Sequence, residues 1–107
     1  MAERLGGTEE LVLLAAASLG EHAYGVTVQQ RLEAETGSTI SLGSVYAILD
    51  RLERAGYVRS AWGDATPQRG GRRKRMFRVT APGLAALREM GRIRSRLAHT
   101  VAAPRPA

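Results

Sequence analysis

Arg69, Arg72, Arg73, Lys74 and Arg75 crowd around Gly70-Gly71, and this is the densest chemistry in the chain. Guanidinium and ammonium groups packed this closely are suited to neutralising a run of phosphates, and the arginine fork matches phosphate oxygens two at a time. The density extends outward: between Asp64 and Glu89 there are seven basic residues and no acid. Charges of one sign repel one another until a polyanion arrives, nucleic acid first and an anionic membrane surface second. Catalysis finds no such footing. With no cysteine, the chain has no disulfide, thiol redox chemistry or Cys-ligated metal. His22 and His99 are too few for a metal cluster. No Ser–His–Asp set, HExxH pattern or Gly-rich phosphate loop after a strand can be placed. The expectation is therefore a protein that is not an enzyme, with no catalytic residue, metal ligand or cofactor.

The second feature with chemistry lies upstream of the basic turn. From Ser41 or Gly43 to about Ala55 the spacing predicts a helix, with Gly56 just beyond it. Val45, Ile48, Leu49 and Leu52 share one face. Ser44, Ala47, Arg51 and Arg54 share the other, with Tyr46 and Asp50 on the flanks. Near the N-terminus the outward face is small: Gly43, Ser44, Ala47. Small side chains let a helix backbone approach a surface, and a DNA major groove about 12 Å wide admits such a helix. Tyr46 can serve as a core-edge aromatic or give its hydroxyl to a phosphate, and the second is favoured because the core face is already filled. Arg51, a turn further along, can reach a base edge, a phosphate or a neighbouring glutamate.

These two features need elements to hold them. Thr8 followed by Glu9-Glu10 predicts a first helix, greasy on more than one face and ended by Gly20. It is either a core helix or a helix shared between its own domain and a partner subunit. A short, mostly polar second helix is expected over Val26 to Thr36, stopped by Gly37, with Glu33 and Glu35 solvated. Residues Ser38 to Leu42 have the β-branched character of a short edge strand. Tyr57 to Trp62 and Lys74 to Thr80 read as the two strands of a hairpin, with Phe77 and Val79 toward the core. Trp62, at the base of the turn, is expected to be a packed aromatic. Thr80 caps a last helix that tolerates Pro82 in its first turn and runs to about Val101. At ~30 Å it is longer than a small domain needs to close its core.

The chain has 107 residues, which suits one domain, and carries a net charge of +6 that is unevenly spread. Residues 1–56 hold four arginines against eight acids, whereas residues 57–107 hold twelve basic residues against two acids. The most apolar run, Leu11 to Leu19, is half the ~20 residues of a membrane-spanning helix. No positive region precedes it, so it does not read as a signal peptide either. A cytoplasmic protein with no membrane partner is expected.

Several stretches resemble the PadR family of bacterial transcriptional regulators. They are Ala23-Tyr24-Gly25-Val26, Ser41-Leu42-Gly43-Ser44-Val45-Tyr46, Leu49-Asp50-Arg51-Leu52 and Glu53-Arg54-Ala55-Gly56-Tyr57-Val58. The likeness resumes at Arg69 to Arg75 and at Phe77-Arg78-Val79-Thr80-Ala81-Pro82-Gly83, so it covers about residues 8–90. The resemblance implies a winged helix with a C-terminal dimerisation helix, usually a repressor at a palindromic operator. It carries DNA-facing roles to Ser41, Gly43, Ser44 and Tyr46, and to Arg72, Arg73, Lys74 and Arg75 in the wing. A single helix after the wing is similar to the shorter subfamily, some of whose members bind flat drug-like compounds at the dimer centre through an aromatic on the last helix. Between Leu84 and Val101 this chain has no aromatic, so an inducer is left unassigned.

The fold expected is mainly α with a small antiparallel β-hairpin: a winged helix-turn-helix over 8–80, a dimerisation helix over 81–101, a flexible arm at 1–7 and a disordered tail at 102–107. Double-stranded DNA is the expected partner, through Ser41, Gly43, Ser44, Tyr46, Ala47, Arg51, Arg69, Arg72, Arg73, Lys74 and Arg75. A second copy of the chain is the other, through Leu11, Leu14, Leu84, Leu87, Met90, Arg94 and Leu97. The alternative is a winged helix that binds RNA or protein without operator specificity.

Overall fold

The computed structural model describes residues 5–63 and 73–103. Helix α1 (Gly7–Leu19) leads through a tight turn (Gly20–His22) to α2 (Gly25–Thr36) and α3 (Leu42–Arg54). Strands β1 (Val58–Trp62) and β2 (Arg75–Val79) form the hairpin, and α4 (Ala81–His99) closes the described chain. The three first helices pack around a core of Val12, Leu13, Val28, Val45, Leu49 and Leu52, which Val58 and Phe77 of the hairpin complete.

Local chemistry explains where each helix begins. The start of α1 is Gly6 rather than Thr8: the Glu9 carboxylate folds back and accepts the Gly6 N–H at 2.9 Å. Glu9 and Glu10 then lie in the positive first turn. The arm is also shorter than expected, because Leu5 is buried in the core. Of the two expected starts, Ser41 is the one that caps α3, its Oγ accepting the Ser44 N–H at 3.0 Å. Thr80 caps α4 in the same way, accepting the Gly83 N–H at 3.1 Å while its hydroxyl donates to the Gly56 carbonyl at 2.6 Å.

The edge strand expected at Ser38–Leu42 is absent. Both backbone groups of Ile40 are satisfied by side chains of α2 instead: Gln29 Nε2 donates to its carbonyl at 2.8 Å, and Glu33 Oε2 accepts its N–H at 3.1 Å. Glu33 is thus a loop anchor and not a solvated acid, whereas Glu35 pairs at the surface with Arg31. The third position of the sheet is taken by Ala23 and Tyr24. The Phe77 N–H donates to the Ala23 carbonyl at 2.8 Å, and Tyr24 bridges to Met76.

In the hairpin, Val58 pairs with Val79, Ser60 with Phe77 and Trp62 with Arg75. Phe77 is buried and Val79 packs on the core, as the alternation required. The root of α4 sits hard against β1. Gly83 is required there, since a β-carbon would run into the backbone carbonyl of Tyr57. Ala86, Leu87 and Met90 pack on the core, but past Met90 every residue of α4 except Ile93 is exposed.

Candidate nucleic-acid interface

The surface that could meet a duplex is built on α3. Its inner face is shut: Val45 and Leu49 are fully buried, with Ile48 and Leu52 nearly so. The packing turns Gly43, Ser44 and Ala47 outward, all exposed, and Gly43 has open space around its α-carbon. Ser41 and Ser44 share a hydroxyl hydrogen bond of 2.8 Å, so the cap also fixes the two side chains a groove would meet first.

Tyr46 is half-buried against the core and lies across the first turn of α2. A β-carbon at Gly25 would stand 2.5 Å from the Tyr46 hydroxyl, so glycine is what lets the ring lie there. The ring flank packs inward, as the core-edge reading expected, and the hydroxyl lies against the start of α2, where backbone N–H groups lack helical partners. Beside it, Lys74 Nζ donates to the Tyr24 hydroxyl at 3.2 Å and stands 4.4 Å from the centre of that ring. The start of α3, the start of α2 and the returning wing strand thus converge. Tyr24 and Gly25 were missed as site residues; the Ala23-Tyr24-Gly25-Val26 stretch carried them, but nothing in its spacing showed that Lys74 and Tyr46 would meet it.

Two of the expected DNA contacts are paired with acids of their own chain. Arg75 turns inward to α3, with its guanidinium 2.9 Å from Asp50 and 2.7 Å from Glu53. Glu53 also accepts the Ser60 N–H at 2.9 Å and the Ser60 hydroxyl at 2.8 Å. The Ser60 hydroxyl is the main influence holding the Glu53 carboxyl below its ordinary range; burial opposes it, and the Ser60 amide and Arg75 reinforce it. Partial burial works against the charge on Arg75, yet the hydrogen bonds it donates to Asp50 and Glu53 leave its guanidinium more basic than usual. A residue expected to grip phosphate is a clamp between hairpin and helix. Arg51, for which three roles were open, pairs with Glu9 of α1 at 3.4 Å. Arg73 and Lys74 remain exposed at the wing, and Arg69 and Arg72 lie outside the described residues.

The residues expected between subunits form two groups. Leu11 and Leu14 are about half exposed on α1, and with Ala15 and Leu32 they line a cleft of about 310 Å³ against α2. Leu84 and Leu97 are exposed on α4, whereas Leu87 and Met90 pack on their own core. Arg94 donates through Nε to Glu10 of α1 at 3.0 Å and so tethers α4 to α1 within one chain. Among the described residues no group of His, Asp or Glu is arranged to hold a metal ion, and no helix is long and apolar enough to cross a membrane.

Comparison with known proteins agrees with this geometry. The family described as "Transcriptional regulator PadR-like family" matches residues 13–89. A PadR-like transcription factor from Bacteroides fragilis superposes with a TM-score of 0.72 at 20% identity, over 87% of this chain and 84% of the other. A PadR-like transcriptional regulator from Bacillus cereus gives 0.71 at 20% identity, over 87% and 85%. A PadR family regulator from Eggerthella lenta gives 0.68 at 29% identity, over 86% and 78%. No curated protein sequence matches the chain significantly.

Proposed function

The chain belongs to the PadR-like family of transcriptional regulators, and we propose that it is a repressor that binds a palindromic operator as a homodimer. It is a DNA-binding regulator and not an enzyme. In this reading residues 8–80 are the DNA-binding domain and residues 81–101 the dimerisation helix.

The exposed, small-faced start of α3 is the observation that carries the proposal. Gly43, Ser44 and Ala47 face out from a helix whose other side is sealed in the core. That end of α3 enters the major groove, and Ser44 sits where base edges are read. Tyr46 and Lys74 hold phosphates beside the groove, and Arg69, Arg72 and Arg73 hold those next to the wing. Such contacts add affinity without sequence information, and salt weakens them. Leu11, Leu14, Leu84 and Leu97, left uncovered in one chain, meet their counterparts in a second. Two copies address half-sites ~34–36 Å apart, one turn of B-DNA. The repressor reading rests on the family resemblance, and a dimer covering a promoter would close it to polymerase.

Selection of bound duplexes from a random pool tests this directly. An inverted repeat with half-sites one turn apart is expected, bound by two chains. Binding to RNA but not to duplex would replace the proposal with the RNA-binding alternative. A single half-site bound by one chain would remove the dimer from it.

A further inference from the structure

Trp62 was expected to be a packed aromatic, and the structure leaves it 66% exposed. It is the only tryptophan in the chain. Covering an aromatic side chain of this size removes ~150–250 Å² from water, so an uncovered one at the base of a wing is a large unmet term. Its place in the hairpin narrows what could cover it. Along β1, Val58, Ser60 and Trp62 alternate onto one side. Ser60 on that side reaches Glu53 of α3, and Arg75, the cross-strand partner of Trp62, reaches Asp50 and Glu53. Trp62 therefore leaves the sheet on the side that faces α3, one step nearer the wing turn than Ser60. It stands at the far end of β1, opposite the arginine that binds the strand pairing to α3.

Resting on the DNA-binding reading above, we infer that Trp62 is a contact to the DNA backbone. If α3 lies in the major groove and the wing reaches the neighbouring minor groove, the sugar-phosphate strand between the two grooves passes the side of the hairpin on which Trp62 lies. Indole is matched to such a strand: its N–H is a donor with no acceptor character, suited to a phosphate oxygen, and its face is apolar, suited to a deoxyribose. The charges around it favour the same partner. Asp50 and Glu53 are engaged by Arg75, whereas Arg73 and Lys74, next along the wing strand, are exposed cations with no carboxylate within ion-pair distance among the described residues. The clamp adds rigidity, because Arg75 holds the strand opposite Trp62 to α3.

A lone tryptophan reports on itself. The experiment uses the full chain and two duplexes, the operator obtained by selection and a scrambled duplex of equal length, with binding followed in parallel by mobility shift. Free protein should emit as a water-exposed indole and be open to quenching by acrylamide. Operator binding should shift the emission to the blue and lower the quenching constant several-fold. The scrambled duplex at low salt should do the same, since a backbone contact does not read sequence. Trp62→Phe, which keeps a ring but loses the N–H, should weaken binding to both duplexes by roughly the same factor, on the order of tenfold for one lost charge-assisted hydrogen bond. Operator bound with emission and quenching unchanged would overturn the Trp62 contact and leave the function standing. Emission already blue and shielded in the free protein would overturn it too, by showing that the indole is covered without DNA. Selection that yields no duplex, with no mobility shift of the scrambled duplex at low salt, would overturn the DNA-binding reading and the Trp62 contact together.

Discussion

The junction between α3 and the hairpin and the far half of α4 use similar residues to opposite ends. At the junction an arginine is fully engaged: Arg75 meets Asp50 and Glu53, and Glu53 meets Ser60 twice. Past Gly91, α4 carries Arg92, Arg94, Arg96 and Leu97, and nearly all of that surface is bare. Leu97 is 64% exposed, and Arg94 with its bond to Glu10 is the tether to the rest of the chain among the described residues there. One region is finished within a single chain, while the other leaves apolar and basic side chains uncovered. Helix stability in proteins comes mostly from packing an apolar face, so a helix end projecting into water is weakly held until something covers it.

The largest test of this contrast is to make the bare side repel. Leu11→Asp together with Leu97→Asp should raise the dimer dissociation constant by at least a hundredfold, since each buried leucine contributes ~1.5–3 kcal/mol. Sedimentation velocity across a dilution series reads the change. The monomer should remain folded by circular dichroism, because both side chains are exposed in one chain. An unchanged dissociation constant would mean that these leucines face water in the working protein, and the contrast would lose its meaning.

Next in size is the finished region. Arg75→Gln leaves Asp50 and Glu53 close together without a cation, and should cost about 1–2 kcal/mol, modest because the site is partly solvated. Urea denaturation measures it. Arg73→Gln, two residues away and exposed, should leave the urea midpoint unchanged. If Arg73 grips a phosphate, its loss should lower the log–log salt slope of DNA binding by roughly 0.9. The reverse pattern, with Arg75 setting the salt slope and Arg73 the stability, would exchange their roles.

That pair of arginines also marks how far the sequence could be read. Helix faces, the hairpin and the caps at Ser41 and Thr80 were legible, because each depends on spacing within a few residues. The sorting of the basic run was not. Arg73 and Arg75 lie on the same short stretch, and what separates them is which one finds Asp50 and Glu53 across a tertiary contact. Trp62 failed for a related reason, since exposure depends on what the neighbouring element covers. The strand expected at Ser38–Leu42 had the right composition, but Gln29 and Glu33 had already satisfied Ile40.

A smaller effect compares two glycines in α4. At Gly83 a β-carbon would meet the Tyr57 carbonyl, so Gly83→Ala must push the helix root outward. At Gly91 a β-carbon meets nothing within 4 Å in one chain. Gly91→Ala should therefore stabilise the isolated chain by ~1 kcal/mol through helix propensity alone. In the dimer the sign is diagnostic. If a second copy brings its backbone close at Gly91, the same substitution weakens association. Melting at concentrations above and below the dissociation constant separates the two terms, and a gain of equal size at both would place Gly91 outside the interface.

The smallest effect is a dependence on pH confined to the finished region. The Glu53 carboxyl is held below its ordinary range, first by the Ser60 hydroxyl and then by the Ser60 amide and Arg75, against the opposing influence of burial. Protons therefore bind Glu53 more readily in the unfolded chain than in the folded one. The stabilisation this gives is complete above the unfolded value, about pH 4.3, and is lost as pH falls through the lower folded value. Partial exposure and salt keep it small. Glu53→Gln should remove that acid-side slope, and so should Ser60→Ala in part, whereas Leu97→Asp should leave it in place because the bare half of α4 contributes nothing to it. Urea midpoints measured between pH 3 and pH 6 in 0.15 M salt would resolve the difference. A slope that survives Glu53→Gln would assign the acid sensitivity to another carboxylate.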